Sequence, residues 1–299
     1  MNHPKRYLGI DIGGTTAKYA IISAEGDISE KGSFDTGVES GFSFLLDSLI
    51  SVVDAALIHG IDGIGICSLG IIHPRTGEII GGIANLPYLK GLNLKKLLSE
   101  KYRDIPVHVS NDVKAVARGE QWMGAGKDCE NFFCITFGTG VGGALVLDSR
   151  VVEGAHFRAG EIGYLDYNSE TSYFEKNVST KSVMKFAADR LGMPFIDGIE
   201  FFQRVRAGQP ECLDILDEWI GRIARFIANV IIIFDVEKVI LGGGISSELD
   251  ILLHGLSHRV EKMLPLEFCG QTVIDTAKCE NNAGMLGAVW PLIDTAQRL

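Results

Sequence analysis

With 299 residues, 46% of them apolar, the chain is long enough for two core-bearing lobes and too apolar to be intrinsically disordered. Its 38 acidic and 28 basic residues leave a formal charge of -10, which gives no general attraction to a nucleic-acid backbone or an anionic membrane. Any phosphate-bearing ligand must therefore be held locally, by backbone N–H groups, helix N-termini or a metal ion.

In chain order, Tyr7 to Asp11 is apolar and β-prone, Gly13-Gly14-Thr15 interrupts it, and Ala17 to Ile22 resumes an extended pattern. A third strand is expected after the turn signal Glu25-Gly26-Asp27. From Gly41 to His59, Leu45, Leu49, Val52, Val53 and Ala56 recur at helical spacing; Gly60 ends that pattern, and Gly63 to Cys67 reads as a buried strand. A short helix over Leu92 to Lys101 precedes the strand Val107 to Ser110, which runs into Asn111-Asp112, and Val113 to Met123 is expected to be helical. Residues 132–147 repeat the opening theme around Gly138-Thr-Gly-Val-Gly-Gly143. Past residue 180 the pattern is mostly helical, with Trp219, Ile223, Phe226, Ile227 and Val230 at helical spacing. A strand over Val239 to Leu241 then ends at Gly242-Gly-Gly244, and a last helix runs from Ala283 to about Thr295. Strand, glycine turn and strand thus occur twice, which predicts two related lobes gripping the phosphates of a nucleotide from two sides.

The six cysteines are scattered, with no CxxC pair, and read as free thiols in a reducing cytosol. Residues 1–6 lack a signal-peptide core and no later run reads as long and apolar enough to span a bilayer, so the expected location is the cytoplasm.

Asp11-Ile-Gly-Gly-Thr-Thr16 places an acid at a strand end and two glycines where the backbone turns sharply, freeing main-chain N–H groups for phosphate oxygens. It is neither a Walker loop nor a dinucleotide fingerprint, and alone it reads equally as a plain hairpin. Gly138 to Gly143 and Gly242 to Gly244 add two more such loops. Asn111-Asp112, where an apolar strand gives way to a helix, suits both an N-cap and a carboxylate at the active end of an α/β sheet. A kinase acting on a hydroxyl needs such a carboxylate, because sugar hydroxyls are weak nucleophiles. His156, Arg158 and His258 read as surface residues, and Trp122, Trp219 and Trp290 as core or interface aromatics.

These motifs resemble the ROK family, bacterial sugar kinases and related transcriptional repressors of the sugar kinase, heat-shock chaperone and actin superfamily, over nearly the whole chain. The resemblance implies a two-lobed α/β actin-like ATPase (ribonuclease H-like) fold with a nucleotide and sugar cleft between the lobes. The expected lobes are 1–112, completed by the C-terminal helix at about 284–299, and 113–283. It also implies ATP and Mg²⁺. The nucleotide-binding residues would be Asp11, Gly13, Gly14, Thr15, Thr16, Lys18, Gly138, Thr139, Gly140, Gly142, Gly243 and Gly244, with Asp11 orienting the metal through water. Asp112 would be the catalytic base. Asn85, Asn111, Asp112, Glu161 (in Gly154-Ala-His-Phe-Arg-Ala-Gly-Glu-Ile-Gly163) and Glu175 would bind the sugar.

Many family members follow that glutamate with Gly-His and a Cys-rich loop that binds zinc. Here the histidine position is Tyr164 and no Cys lies between Cys134 and Cys212, so no zinc site is expected. Packing by Tyr164, Tyr167 and Phe174 would hold the loop instead. The expected activity is phosphorylation of the 6-hydroxyl of a hexose or β-glucoside, with N-acetylmannosamine kinase as the alternative. A homodimer is implied by resemblance, with no nucleic-acid or membrane partner. A sugar-responsive regulator would carry a helix-turn-helix ahead of the first strand, where this chain has only about ten residues. An actin-like or chaperone-type ATPase would not need the Asn111, Asp112 and Glu161 set.

Overall fold

The computed structural model describes residues 4–82, 86–165, 173–244 and 248–297. The first half of the chain gives β1 (Arg6–Ile12), β2 (Thr16–Ser23), β3 (Ile28–Asp35), α1 (Gly41–Ile58), β4 (Gly63–Ser68), β5 (Ile71–Ile72), β6 (Ile79–Gly81), α2 (Leu94–Lys101), β7 (Val107–Asn111) and α3 (Asp112–Met123). The remainder gives β8 (Phe132–Phe137), β9 (Val141–Leu147), β10 (Arg150–Val151), α4 (Glu175–Val178), α5 (Thr180–Leu191), α6 (Gly198–Arg206), α7 (Pro210–Phe234), β11 (Lys238–Gly243), α8 (Leu249–Met263), β12 (Val273–Thr276) and α9 (Ala283–Gln297). Contacts divide the chain into two compact units, residues 1–127 with 153–158 and 282–299, and residues 128–152 with 159–281. The first unit thus runs past the expected boundary at 112, because α3 packs along α9.

In the first unit the sheet order is β3-β2-β1-β4-β7. β1, β2 and β3 form an antiparallel meander, while β4 and β7 continue parallel to β1. Every residue of β4 is buried, which is why it reads as an unbroken apolar run: a central parallel strand has both faces covered. α9 lies against β4 and α3 through glycines. The carbonyl of Ala288 stands where a Cβ on Gly65 would go, and the carbonyl of Ala115 where one on Gly287 would go.

Helix α1 corrects one expectation. Its mean hydropathy of 1.8 over 18 residues makes it, by length and composition, long and apolar enough to cross a membrane. Leu45, Leu49, Val53 and Ala56 fall on one face and join the core with Leu8, Ile10, Ile64 and Ile66, while Asp47 and Asp54 stay exposed. Part of the apolar content that gives it this hydropathy thus covers a sheet, while Phe44 and Ile58 are exposed.

The second unit repeats the plan. Its sheet order is β10-β9-β8-β11-β12, with β8 to β10 antiparallel and β11 and β12 parallel to β8. The echo between residues 7–22 and 132–147 is therefore an echo of two whole sheets. The long α7 starts with Pro210 in its first turn, where proline's missing N–H costs nothing, and buries Ile215, Trp219, Ile223, Ile227 and Ile231 along one stripe. Trp219 satisfies its indole N–H on the Val178 carbonyl at 2.9 Å. The half-buried β12 carries little apolar signal and is recognised only by its pairing with β11.

Candidate functional site

Asp11 stands near the C-terminal end of β1, opposite Lys18 on β2 and Cys67 on β4. The Gly13 N–H donates to the Thr16 carbonyl at 3.1 Å, closing the turn, while Thr15, Thr16 and Lys18 remain exposed beside it. The Cys67 thiol donates to Asp11 Oδ1 at 3.3 Å. Burial raises the Asp11 carboxyl above the usual carboxylate range, opposed by that thiol and by Lys18. Burial also pushes the Cys67 thiol well up, with the charges of Asp11 and Asp112 adding to it. A Cβ on Gly284, in the first turn of α9, would lie 3.1 Å from both Asp11 Oδ2 and Cys67 Sγ, so the positive end of that helix faces the carboxylate.

Of the two expected roles of the Asn111-Asp112 pair, the N-cap falls to Asn111. Asn111 is the N-cap of α3, its Oδ1 accepting the Lys114 N–H at 3.0 Å. Its amide donates to the Gly70 carbonyl at 3.0 Å and to Asp112 Oδ1 at 2.8 Å. Asp112, the first residue of the helix, also accepts the Val113 N–H at 2.9 Å on the same oxygen. His156 and Arg158 are exposed, as read from the sequence.

In the second unit, Gly138 N–H donates to the Gly140 carbonyl at 2.9 Å, making a tight turn between β8 and β9. Gly142 lies inside β9, opposite Thr136. The Gly244 N–H donates to the Phe137 carbonyl at 2.8 Å, which brings the glycines ending β11 next to this turn. Glu175 Oε2 accepts the Val141 N–H at 3.3 Å and stands 2.5 Å from where a Cβ on Gly140 would be. One of the expected sugar-binding acids thus touches the second glycine turn directly. Glu161 is half-buried and immediately precedes a turn of 3₁₀ helix over Ile162–Tyr164.

Of the side chains expected to brace the loop before Glu175, Phe174 is buried and packs on Phe226 at 4.9 Å, and Tyr164 meets Tyr173 edge-on at 5.9 Å. Asn85 and Tyr167 lie outside the described residues. Sequence reading missed Cys67 as a partner of Asp11, and missed the buried pair Lys114–Glu153 at 2.6 Å. The first follows from the parallel register of β1 on β4, which only the structure supplies, and the second joins residues 39 positions apart and has no motif.

Two sheets of one plan, each with a glycine turn in its antiparallel hairpin and carboxylates at strand or helix ends, define the actin-like α/β class. Within that class the ROK family model matches residues 7–295, and the chain belongs to the ROK family. It is 29% identical over 296 residues to a beta-glucoside kinase of Listeria monocytogenes, covering 96% of this chain and 97% of that one. It is 27% identical over 299 residues to an N-acetylmannosamine kinase of Haemophilus influenzae, covering 95% and 94%. Among solved structures, a ROK family protein of Streptococcus pneumoniae in complex with sucrose superposes with a TM-score of 0.85 at 27% identity, covering 98% of this chain and all of that one.

Proposed function

We propose that this chain is an ATP-dependent sugar kinase that phosphorylates the 6-hydroxyl of a hexose or β-glucoside. The observation that carries this reading is the Asp112 carboxylate at the C-terminal end of β7, oriented by the Asn111 amide at 2.8 Å. Asp112 accepts the proton of the sugar hydroxyl as its oxygen becomes nucleophilic. Asn111 holds that carboxylate in one rotamer and has no freedom to leave it, since Gly70 takes the same amide. Glu161 and Glu175 accept hydroxyl hydrogens, the strongest kind of hydrogen bond a sugar can donate. The contact of Glu175 with the Gly140 turn supports a second task for it, keeping the phosphate turn in shape.

The residues present fit a nucleotide. Thr15, Thr16 and Lys18 offer exposed donors at the first glycine turn, and the space a Gly138 side chain would occupy is open. Asp11, Gly13, Gly14, Thr15, Thr16, Lys18, Gly138, Thr139, Gly140, Gly142, Gly243 and Gly244 form the proposed binding set. When bound, ATP would supply the transferable phosphoryl group and Mg²⁺ would offset the charge of its phosphates; Asp11 would orient the metal through water.

The beta-glucoside kinase likeness supports a glycoside; the N-acetylmannosamine kinase likeness keeps that sugar as the second reading. The test is ADP release with Mg-ATP across glucose, N-acetylmannosamine, N-acetylglucosamine, fructose, mannose, cellobiose and gentiobiose. Preference for cellobiose or gentiobiose is expected, preference for N-acetylmannosamine selects the second reading, and silence on every sugar removes the kinase assignment. Asp112→Asn is expected to lose ~10²–10⁴-fold in turnover while keeping its circular dichroism and ATP binding.

A further inference from the structure

Two residues after the proposed base, Lys114 is only 4% exposed. Its ammonium donates to the Glu153 carboxylate at 2.6 Å, to the Glu153 carbonyl at 3.4 Å and to the Phe157 carbonyl at 3.1 Å. Three acceptors for three N–H bonds is what an ammonium needs to remain charged out of water. One helical turn on, Arg118 takes the other Glu153 carboxylate oxygen at 2.9 Å. Residues 153–158, which belong to the first unit, are thereby strapped onto α3.

The strap has a second anchor. Phe157 adopts a left-handed φ of 63°, which an aromatic residue holds only when its surroundings enforce it. Its ring packs on His73 with centroids 4.5 Å apart. His73 lies between β5 and β6, and Gly70, just before β5, accepts the Asn111 amide. α3, the β5–β6 hairpin and the strap thus close a ring of contacts on the Asn111-Asp112 pair, and Lys114 makes the side that joins strap to helix.

We propose that Lys114 is a positioning residue: by clamping residues 153–158 to the helix that begins at Asp112, it sets the affinity for sugar without touching the sugar. The strap runs on along the chain to Glu161, three residues later, so a displacement of the strap is passed through the backbone to a proposed sugar ligand. This rests on the kinase reading for its functional half and on geometry alone for its structural half.

Two measurements on Lys114→Met separate these halves. Hydrogen exchange of the 153–158 amides is expected to speed up relative to wild type, whatever the enzyme acts on. In steady-state kinetics the KM for the preferred sugar is expected to rise ~10–100-fold, the typical effect of losing one hydrogen bond to a charged group. The KM for ATP should stay within about twofold. A sugar KM unchanged from wild type, or sugar and ATP constants rising together, overturns the positioning role. Unchanged exchange in the strap overturns the clamp. If Lys114→Met does not fold, Glu153→Gln carries the same expectations with the side-chain shape kept. If the wild-type protein turns over no sugar, the kinase reading falls, and exchange in the strap alone decides the clamp.

Discussion

At Asn111 and Asp112 a structural task and the proposed chemical one sit on adjacent side chains, and substitution can pull them apart. Asn111→Ala removes the N-cap of α3, which typically costs about 1 kcal/mol in a urea titration. It also releases Asp112 Oδ1 from its 2.8 Å partner, so kcat is expected to fall by at least about tenfold, more than the lost stability explains. A second residue-scale prediction concerns His108 on β7. Burial, with Arg118 and Lys95 adding positive charge, pushes its imidazole down to about 3. The unfolded chain takes up that proton near 6.5 and the folded chain does not, so stability is unaffected above that pH and declines as pH falls toward 3. The loss attributable to this one group is on the order of 2 kcal/mol at pH 5, and urea midpoints for His108→Gln should show a correspondingly flatter dependence between pH 7 and pH 5.

At the scale of elements, the packing of α9 on α3 and β4 depends on the missing side chains of Gly287, Gly119 and Gly65, each of which faces a neighbouring carbonyl. Gly287→Ala forces the Ala115 carbonyl to move and is expected to destabilise the fold by about 1–3 kcal/mol, read as a lower urea midpoint with an unchanged slope. The glycine turn proposed to hold phosphate is subject to the same steric logic on a smaller scale. Gly140→Ala drives a methyl against Glu175 Oε2, so the KM for ATP should rise while the fold is retained. α1, by contrast, shows how composition misleads at this scale, since its hydropathy matches a membrane span while its buried stripe belongs to a sheet.

Across the whole molecule, a formal charge of -10 means that Mg-ATP approaches a protein of its own sign. Salt should therefore not slow nucleotide association between low ionic strength and about 0.15 M, unlike a protein that steers its anion by long-range attraction. Stopped-flow association rates at the two salt concentrations check this. The α/β class, the three glycine turns, the buried strand β4, the helix α1 and the Asn111-Asp112 junction were all legible from residue order, because each is a local pattern of period, turn residues or strand ends. The pairing of β12, the thiol of Cys67 on Asp11, the seat of Glu175 against Gly140 and the Lys114–Glu153 clamp were not. Each of these joins positions tens of residues apart, in three cases through side chains, and no local periodicity encodes which of many charged or half-buried residues will meet. Only the packing within each unit decides it, that of β4, α3, α9 and the strap in the first and that of β8, β9, β11 and β12 in the second.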